Sequence, residues 1–318
     1  MIKHKNYIIF IFFFSILAFH HINAQSFARP NAWKKYRKEL IVGVGASGFL
    51  GDLGGRNTIG TRLSPVDYEF SKTRAAAQVG FRYKFTKNIN LNSGFNFLSV
   101  SGDDKLTTET YRQNRNLNFK SNIYELSTRL EFGISSFKRS GVYSLKKSLG
   151  KTAKRYTTEL IGFVGVGVFY FNPKGMDASG KYVKLYNLHT EGQGLPGGPK
   201  QYKRVSVSIP IGLAVHVIVD KYWSVGAEFS YRKTFTDYID DVGGNYYDKA
   251  ALESAYGTKS AEMADPSLGL IHGATSPSAD GTGAVRGHKD KDSYMTFQIT
   301  VGRFFPPKRG RTKLRSKF

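Results

Sequence analysis

Apolar and polar residues alternate with a period of two along most of the chain, the signature of strands with one buried and one differently solvated face. Ala75, Ala77, Val79, Phe81, Tyr83 and Phe85 alternate with Arg74, Gln78, Gly80, Arg82 and Lys84. Ile89, Leu91, Phe95 and Phe97 alternate with Asn90, Asn92, Gly94 and Asn96. The same pattern runs through Tyr124–Ile134, Val205–Val217, Trp223–Arg232 and Met295–Gly302. Two segments, Leu40–Gly48 and Glu159–Phe171, keep one apolar face and place glycines on the other. These eight strands of about 9–13 residues are long for a soluble sheet and suit a tilted membrane span.

The connections test this reading separately. Tight turns are expected at Thr86–Asn88 and Asp220–Lys221, with long links at 49–73, 101–117, 172–204 and 233–292. Alternating short and long connections fit an all-β, transmembrane up-and-down antiparallel barrel with short periplasmic turns and long outer loops. The link 136–157 breaks the rule by being long where a short turn is due. Segments within 101–123, 176–189 or 246–256 could extend strands or add them, giving ten or more. A secreted β-sandwich explains the alternation equally well locally but the loop pattern and strand length less well. In a barrel the polar face lines the lumen. Arg74, Arg82, Lys84, Arg129 and Arg232 share it with Glu125, Glu131, Glu228 and several glycines. An eight-stranded bore is narrow enough for these side chains to fill it.

Composition sets the compartment and removes several chemistries. The 318 residues contain no Cys, which excludes disulfides, thiol nucleophiles, Cys-ligated metals and acylated lipoproteins. Aromatic residues make up 14%, too many for a disordered chain. Lys3 and Lys5 followed by apolar Ile8–Phe19 and a cleavable end at Ala24 read as a signal peptide over 1–24. The expected organisation is then a basic periplasmic segment at 25–38, the barrel at 39–305 and a basic tail at 306–318. Phe304-Phe305 at the end of the last strand is the expected assembly signal.

Charge is distributed unevenly. Of 47 Lys and Arg against 24 Asp and Glu, 18 basic residues fall in three segments expected on the periplasmic side. They include Lys34, Lys35 and Arg37; Lys146, Lys147, Lys151, Lys154 and Arg155; and Arg309 and Arg311. Such a surface attracts acidic proteins or anionic headgroups. Protein docking is the favoured reading, beside outer-membrane lipid contact, and a solvated set of tails is the alternative. The outer loop 233–292 is instead acidic. Asp237, Asp240, Asp241 and Asp248 could offer oxygen ligands to calcium, but EF-hand spacing is absent and a solvated loop is expected.

Catalytic signals are weak. Gly162–Gly167 resembles a phosphate loop but lies inside a strand, where lumen packing explains it. His189 and His272 fall in loops without an identifiable Ser partner, and His216 is expected inside the barrel. The residues therefore point to a non-enzymatic protein without cofactor, nucleic-acid partner or small-molecule substrate.

Four loop motifs narrow the field. Ser47-Gly-Phe-Leu-Gly-Asp-Leu-Gly54 follows the first strand, and Phe169-Tyr-Phe-Asn-Pro-Lys-Gly175 ends the fifth. Thr190-Glu-Gly-Gln-Gly194 comes next. Tyr231-Arg232-Lys233-Thr234-Phe235-Thr236-Asp237-Tyr238-Ile239-Asp240-Asp241-Val242 leaves the seventh strand. In this order, over about residues 38–305, the motifs resemble the PorG-like outer-membrane barrels of the Bacteroidota type IX secretion system. The stretch Arg232–Tyr238 is the most specific part. The resemblance implies a structural role beside a periplasmic ring of PorK- and PorN-like proteins, and it brings no catalytic residues. The basic segments at 136–157 and 306–318 are not diagnostic of that family.

Overall fold

A computed structural model describes residues 32–53, 72–106, 109–139, 156–271, 285–287 and 290–306. The chain divides after Trp33 into two units. The first, which includes the expected signal peptide, lies almost wholly outside the described residues; the second, from Lys34 onward, carries the fold.

Among the described residues nine strands form: β1 (Lys38–Leu50), β2 (Arg74–Lys84), β3 (Ile89–Asp103), β4 (Asn118–Arg139), β5 (Tyr156–Met176), β6 (Tyr182–Lys184), β7 (Val205–Ile218), β8 (Trp223–Thr234) and β9 (Ser293–Phe304). All pairings between them are antiparallel. Eight strands run β1-β2-β3-β4-β5-β7-β8-β9, and β9 pairs back to β1 to close the barrel. The short β6 adds to the outer end of β5. The eight-stranded barrel is as expected, and the region 176–189 does supply an extra strand, though not one of the wall.

Two turns close without large loops because a side chain near the start of each accepts backbone hydrogen bonds. Thr86 Oγ1 accepts from the amides of Asn88 and Ile89 at 3.3 and 3.0 Å. Asp220 Oδ1 accepts from the amides of Tyr222 and Trp223 at 2.7 and 2.8 Å.

The link 136–157 is shorter than expected, for a physical reason. β4 and β5 keep pairing down to Arg139↔Tyr156, past a bulge at Gly133/Ser135. They are 22 and 21 residues long, well beyond the expected range. β3 stops pairing at Ile89↔Phe132. The β4–β5 hairpin therefore continues, at the short-turn end of the barrel, after β3 has ended.

The outward face is apolar around the whole barrel: Val42 and Val44 on β1, Leu126 and Leu130 on β4, Val166 and Val168 on β5, Leu213 on β7 and Ile299 on β9 are all exposed. On β4 this face runs from Tyr124 to Ile134. About ten residues at about 3.4 Å each, tilted about 45°, give a band of about 24 Å, the height of a transmembrane barrel's lipid-facing belt. Tyr124 and Tyr170 sit at its outer edge, with ring centroids 6.4 Å apart. At the opposite edge the Arg303 guanidinium lies 5.2 Å from the Trp223 ring and that of Arg37 5.6 Å from Tyr83. Aromatic residues at both edges match the two membrane interfaces.

Glycine serves close approach at Gly45, where an added Cβ would lie 2.0 Å from the Phe297 carbonyl oxygen across the closing β1–β9 pair.

Candidate functional site

The lower half of the bore is filled by charge. Arg82 donates to Glu39 at 2.8 Å and to Glu131 at 2.5 and 3.2 Å. Arg129 clamps Glu228 through both terminal nitrogens and lies 3.3 Å from Glu131. Lys84 reaches Glu159 at 3.3 Å. His216 Nε2 is 3.0 Å from Glu39 and its Nδ1 is 3.5 Å from Glu159. Higher up, Glu125 takes hydrogen bonds from Arg232 at 3.0 Å, Tyr294 at 2.6 Å and Ser208 at 2.9 Å. The expected lumen residues Arg82, Lys84, Glu125, Arg129, Glu131, Glu228 and Arg232 are all buried there, and His216 lies inside as expected. Glu39 and Glu159 complete the network. A charge this deep persists only when paired and hydrogen-bonded, so these ion pairs crossing the bore are the barrel's internal struts.

Above the charges the interior is apolar. Phe49, Leu98, Val100, Phe119, Ile123, Phe169 and Phe171 form one buried cluster with Leu53, Ile239, Val242 and Tyr294. The outer loops lie over it as a folded cap, which includes α1 (Thr110–Arg115), α2 (Lys249–Tyr256) and α3 (Thr258–Ala264). Arg115 is tied to Asp104 at 2.7 and 2.9 Å and donates to the carbonyls of Arg286 and Asp52. Arg286 donates to Glu191 at 3.2 Å and to the Asp241 carbonyl at 2.6 Å.

The loop motif Arg232–Val242 is the centre of this cap. Arg232 anchors it to the lumen through Glu125 and Thr296. Lys233 remains exposed, while the Thr234 hydroxyl donates to the Asp292 carbonyl at 2.7 Å. Phe235 is exposed. Tyr238 stacks on Tyr202 at 4.6 Å. Asp241 has a left-handed backbone (φ 68°) and accepts from the hydroxyls of Thr190 and Tyr202, both at 2.6 Å. Asp240 accepts from the amides of Leu53 and Val242 at 3.2 and 3.0 Å. The expected solvated acidic loop is corrected on this point: Asp237, Asp240 and Asp241 are buried, and backbone and hydroxyl donors hold Asp240 and Asp241. Asp248 does not join them; it is the N-cap of α2, accepting from the Ala251 amide at 2.7 Å.

Burial raises the proton affinity of these carboxyls. Asp237 is pushed up to about 7, by desolvation and then by the neighbouring charge of Asp52. Asp240 is raised well above the ordinary carboxyl value by burial and by Asp52, and Asp292 by burial and by Asp240. Asp241 rises to about 6, mainly by burial, with Arg286 opposing. Among the described residues no three His, Asp or Glu are grouped so as to hold a metal ion. His189 stacks on Tyr256 at 4.2 Å, while His272 lies outside the described residues.

The basic segments expected on the periplasmic side are only partly described. Lys34 and Lys35 lie in a short 3-10 turn before β1, and Arg37 covers Tyr83. Lys146, Lys147, Lys151, Lys154, Arg155, Arg309 and Arg311 lie outside the described residues.

Sequence reasoning missed Glu191, Arg286 and Asp292, which tie the cap together. Glu191 lies within the motif Thr190–Gly194, while no pattern in the sequence marks Arg286 or Asp292.

A closed antiparallel barrel of eight strands, apolar outside over a membrane's height and polar within, defines the class: this is an outer-membrane β-barrel protein. No family model and no curated protein matches the chain. Among solved structures it is similar to Ail, the attachment invasion locus protein of Yersinia pestis, solved with the heparin analogue sucrose octasulfate. The identity there is 10%, covering 85% of this chain and 99% of that one, with a TM-score of 0.34. It is also similar to Neisserial surface protein A, at 8% identity, 84% and 96% coverage and a TM-score of 0.31. Acinetobacter baumannii CarO2 is similar at 9% identity, 83% and 99% coverage and a TM-score of 0.21.

Proposed function

We propose that this barrel is a non-enzymatic component of the type IX secretion machinery, docking through its periplasmic end to a PorK/PorN-type ring. The loop motifs that resemble PorG-like barrels support this choice of machine. The observation that carries the docking is the β4–β5 hairpin. From Ser135 to Arg139 the β3-side edge of β4 has no strand paired to it among the described residues. An open edge is a template for strand addition by a partner. This hairpin leads into the basic link with Lys146, Lys147, Lys151, Lys154 and Arg155, which favours an acidic partner surface.

The test is tagged copurification from gently solubilised outer membranes, with mass spectrometry of the recovered proteins. Recovery of PorK- and PorN-like subunits is expected. Replacing the five basic residues of the link with Ser should weaken that recovery at low salt, with the difference from wild type shrinking as salt screens the attraction, and leave the barrel folded. Recovery of the wild-type barrel alone, with the ring intact elsewhere, overturns the proposal in favour of a structural or adhesion barrel outside the machine.

A further inference from the structure

The outer ends of β4, β5 and β6 place three lysines in one cross-strand row. Lys120 is registered opposite Lys174, and Lys174 opposite Lys184. All three point away from the bore, because their neighbours Phe119, Ser121, Pro173 and Gly175 are the buried ones on β4 and β5, and Lys184 is itself exposed on β6. Like charges directly opposite one another destabilise a ladder. Among the described residues no carboxylate pairs with any of them. Arg204 stands beside the row, its guanidinium 4.4 Å from the Tyr186 ring and 5.4 Å from Tyr170. Lys120, Asn122, Lys174 and Tyr182 line a shallow cleft of about 120 Å³, with the Lys120 ammonium 5.9 Å from the Tyr182 ring.

The register gives the depth of this patch. Moving inward toward the membrane, Lys120↔Lys174 is followed by Asn122↔Asn172, then Tyr124↔Tyr170, then Leu126↔Val168. The sequence of rows is charged, amide, aromatic, aliphatic. About four residues separate lysines from tyrosines. At about 3.4 Å per residue and a tilt of about 45°, the ammonium row lies about 10 Å outside the aromatic belt. That is the level of phosphate groups on the outer leaflet.

We propose that this row is a binding site for the phosphorylated headgroup of an outer-leaflet glycolipid of the lipid A type. A phosphate seated between the lysines supplies the counter-charge the ladder lacks. Asn122 and Tyr182 can donate to the remaining phosphate or sugar oxygens, and the acyl chains lie down the face of Leu126 and Val168. The site is independent of the periplasmic docking surface, being at the opposite end of the barrel.

The experiment is native mass spectrometry of the full mature chain in mild detergent, titrated with diphosphoryl lipid A and, separately, with the dephosphorylated lipid. The variant K120Q/K174Q/K184Q is compared with K200Q/K203Q/K249Q, which removes the same charge from exposed cap positions. Heat-modifiable gel mobility confirms that each is folded. Three lysines, at roughly fivefold each for a charge near an anionic surface, predict about 100-fold weaker retention of diphosphoryl lipid A by the first variant. The second variant and the wild type should retain it alike, and both should bind dephosphorylated lipid weakly. Equal retention by the two variants would reduce the patch to general charge and overturn the site. Equal binding of the dephosphorylated lipid by the wild type would overturn phosphate recognition.

Discussion

Arg82 offers the sharpest test of the internal struts. It spans two carboxylates, one on β1 and one on β4, with three hydrogen bonds of 2.5–3.2 Å and almost no solvent contact. Arg82→Met keeps most of the side-chain volume and removes the charge. Glu39 then retains His216 and Ser224, while Glu131 retains Asn92 at 2.7 Å and Arg129 at 3.3 Å. Both carboxylates stay buried beside fewer cations, a situation that costs about 3–5 kcal/mol when one partner of a buried pair is removed. The assay is equilibrium urea unfolding in phosphatidylcholine bilayers, read by tryptophan fluorescence. Trp223, one of two tryptophans, sits at the membrane edge of β8. Adding Glu131→Gln should restore part of the loss, with a coupling of about 1–3 kcal/mol between the two positions. A loss under about 1 kcal/mol, the value of an exposed pair, would refute the reasoning. Strict additivity of the two substitutions would refute it equally.

Other parts of the molecule make further outcomes measurable. Leu130→Arg puts a cation near the middle of the lipid-facing band that runs from Tyr124 to Ile134 on β4, and should cost about 2–4 kcal/mol in the same bilayer assay. Gly45→Ala forces a Cβ against the Phe297 carbonyl and should cost about 1–3 kcal/mol or block barrel closure, seen as loss of the compact unheated band on gels. The cap should loosen as pH rises. Asp237, Asp240 and Asp292 bind protons more tightly folded than unfolded, so their stabilisation is full below the ordinary value of 3.8 and fades as pH passes about 7 at Asp237. Hydrogen exchange across 237–242, corrected for intrinsic rate, should show more protection at about pH 5 than at about pH 8. Asp292→Asn should flatten that slope, and protection increasing with pH would contradict the assignment.

The wall of the barrel was legible because lipid and lumen impose opposite chemistry on alternate residues. The eight strands, the two tight turns and the inward face of Arg82, Arg129 and Arg232 all came from that constraint. Two things were hidden. Alternation blurs where the strands leave the membrane: Leu98, Val100, Phe119 and Phe171 point inward like the polar residues below them, because the cap residues Leu53, Ile239 and Val242 pack on them. The lengths of β4 and β5 were lost for a similar reason, since Ser135–Arg139 continues a ladder without a lipid face to mark it. The cap itself could not be read. An acidic run looks solvated in sequence, and the partners that bury it, Leu53, Thr190 and Arg286, come from other parts of the chain. The expected site residues thus divided. Arg232–Asp241 proved to be a structural keystone of the cap, while the basic periplasmic residues remain the basis of the proposed docking.

The struts across the bore also constrain the order of assembly. A cap carrying three helices cannot pass through a channel crossed by Arg82, Arg129 and Arg232. The 233–292 segment must therefore reach the outer side before those pairs lock. The pairing of β9 with β1 is the one that joins the two ends of the barrel's chain. Until that seam closes, the bore and the cap's apolar floor stand open on one side, so one seam serves both the membrane wall and the cap.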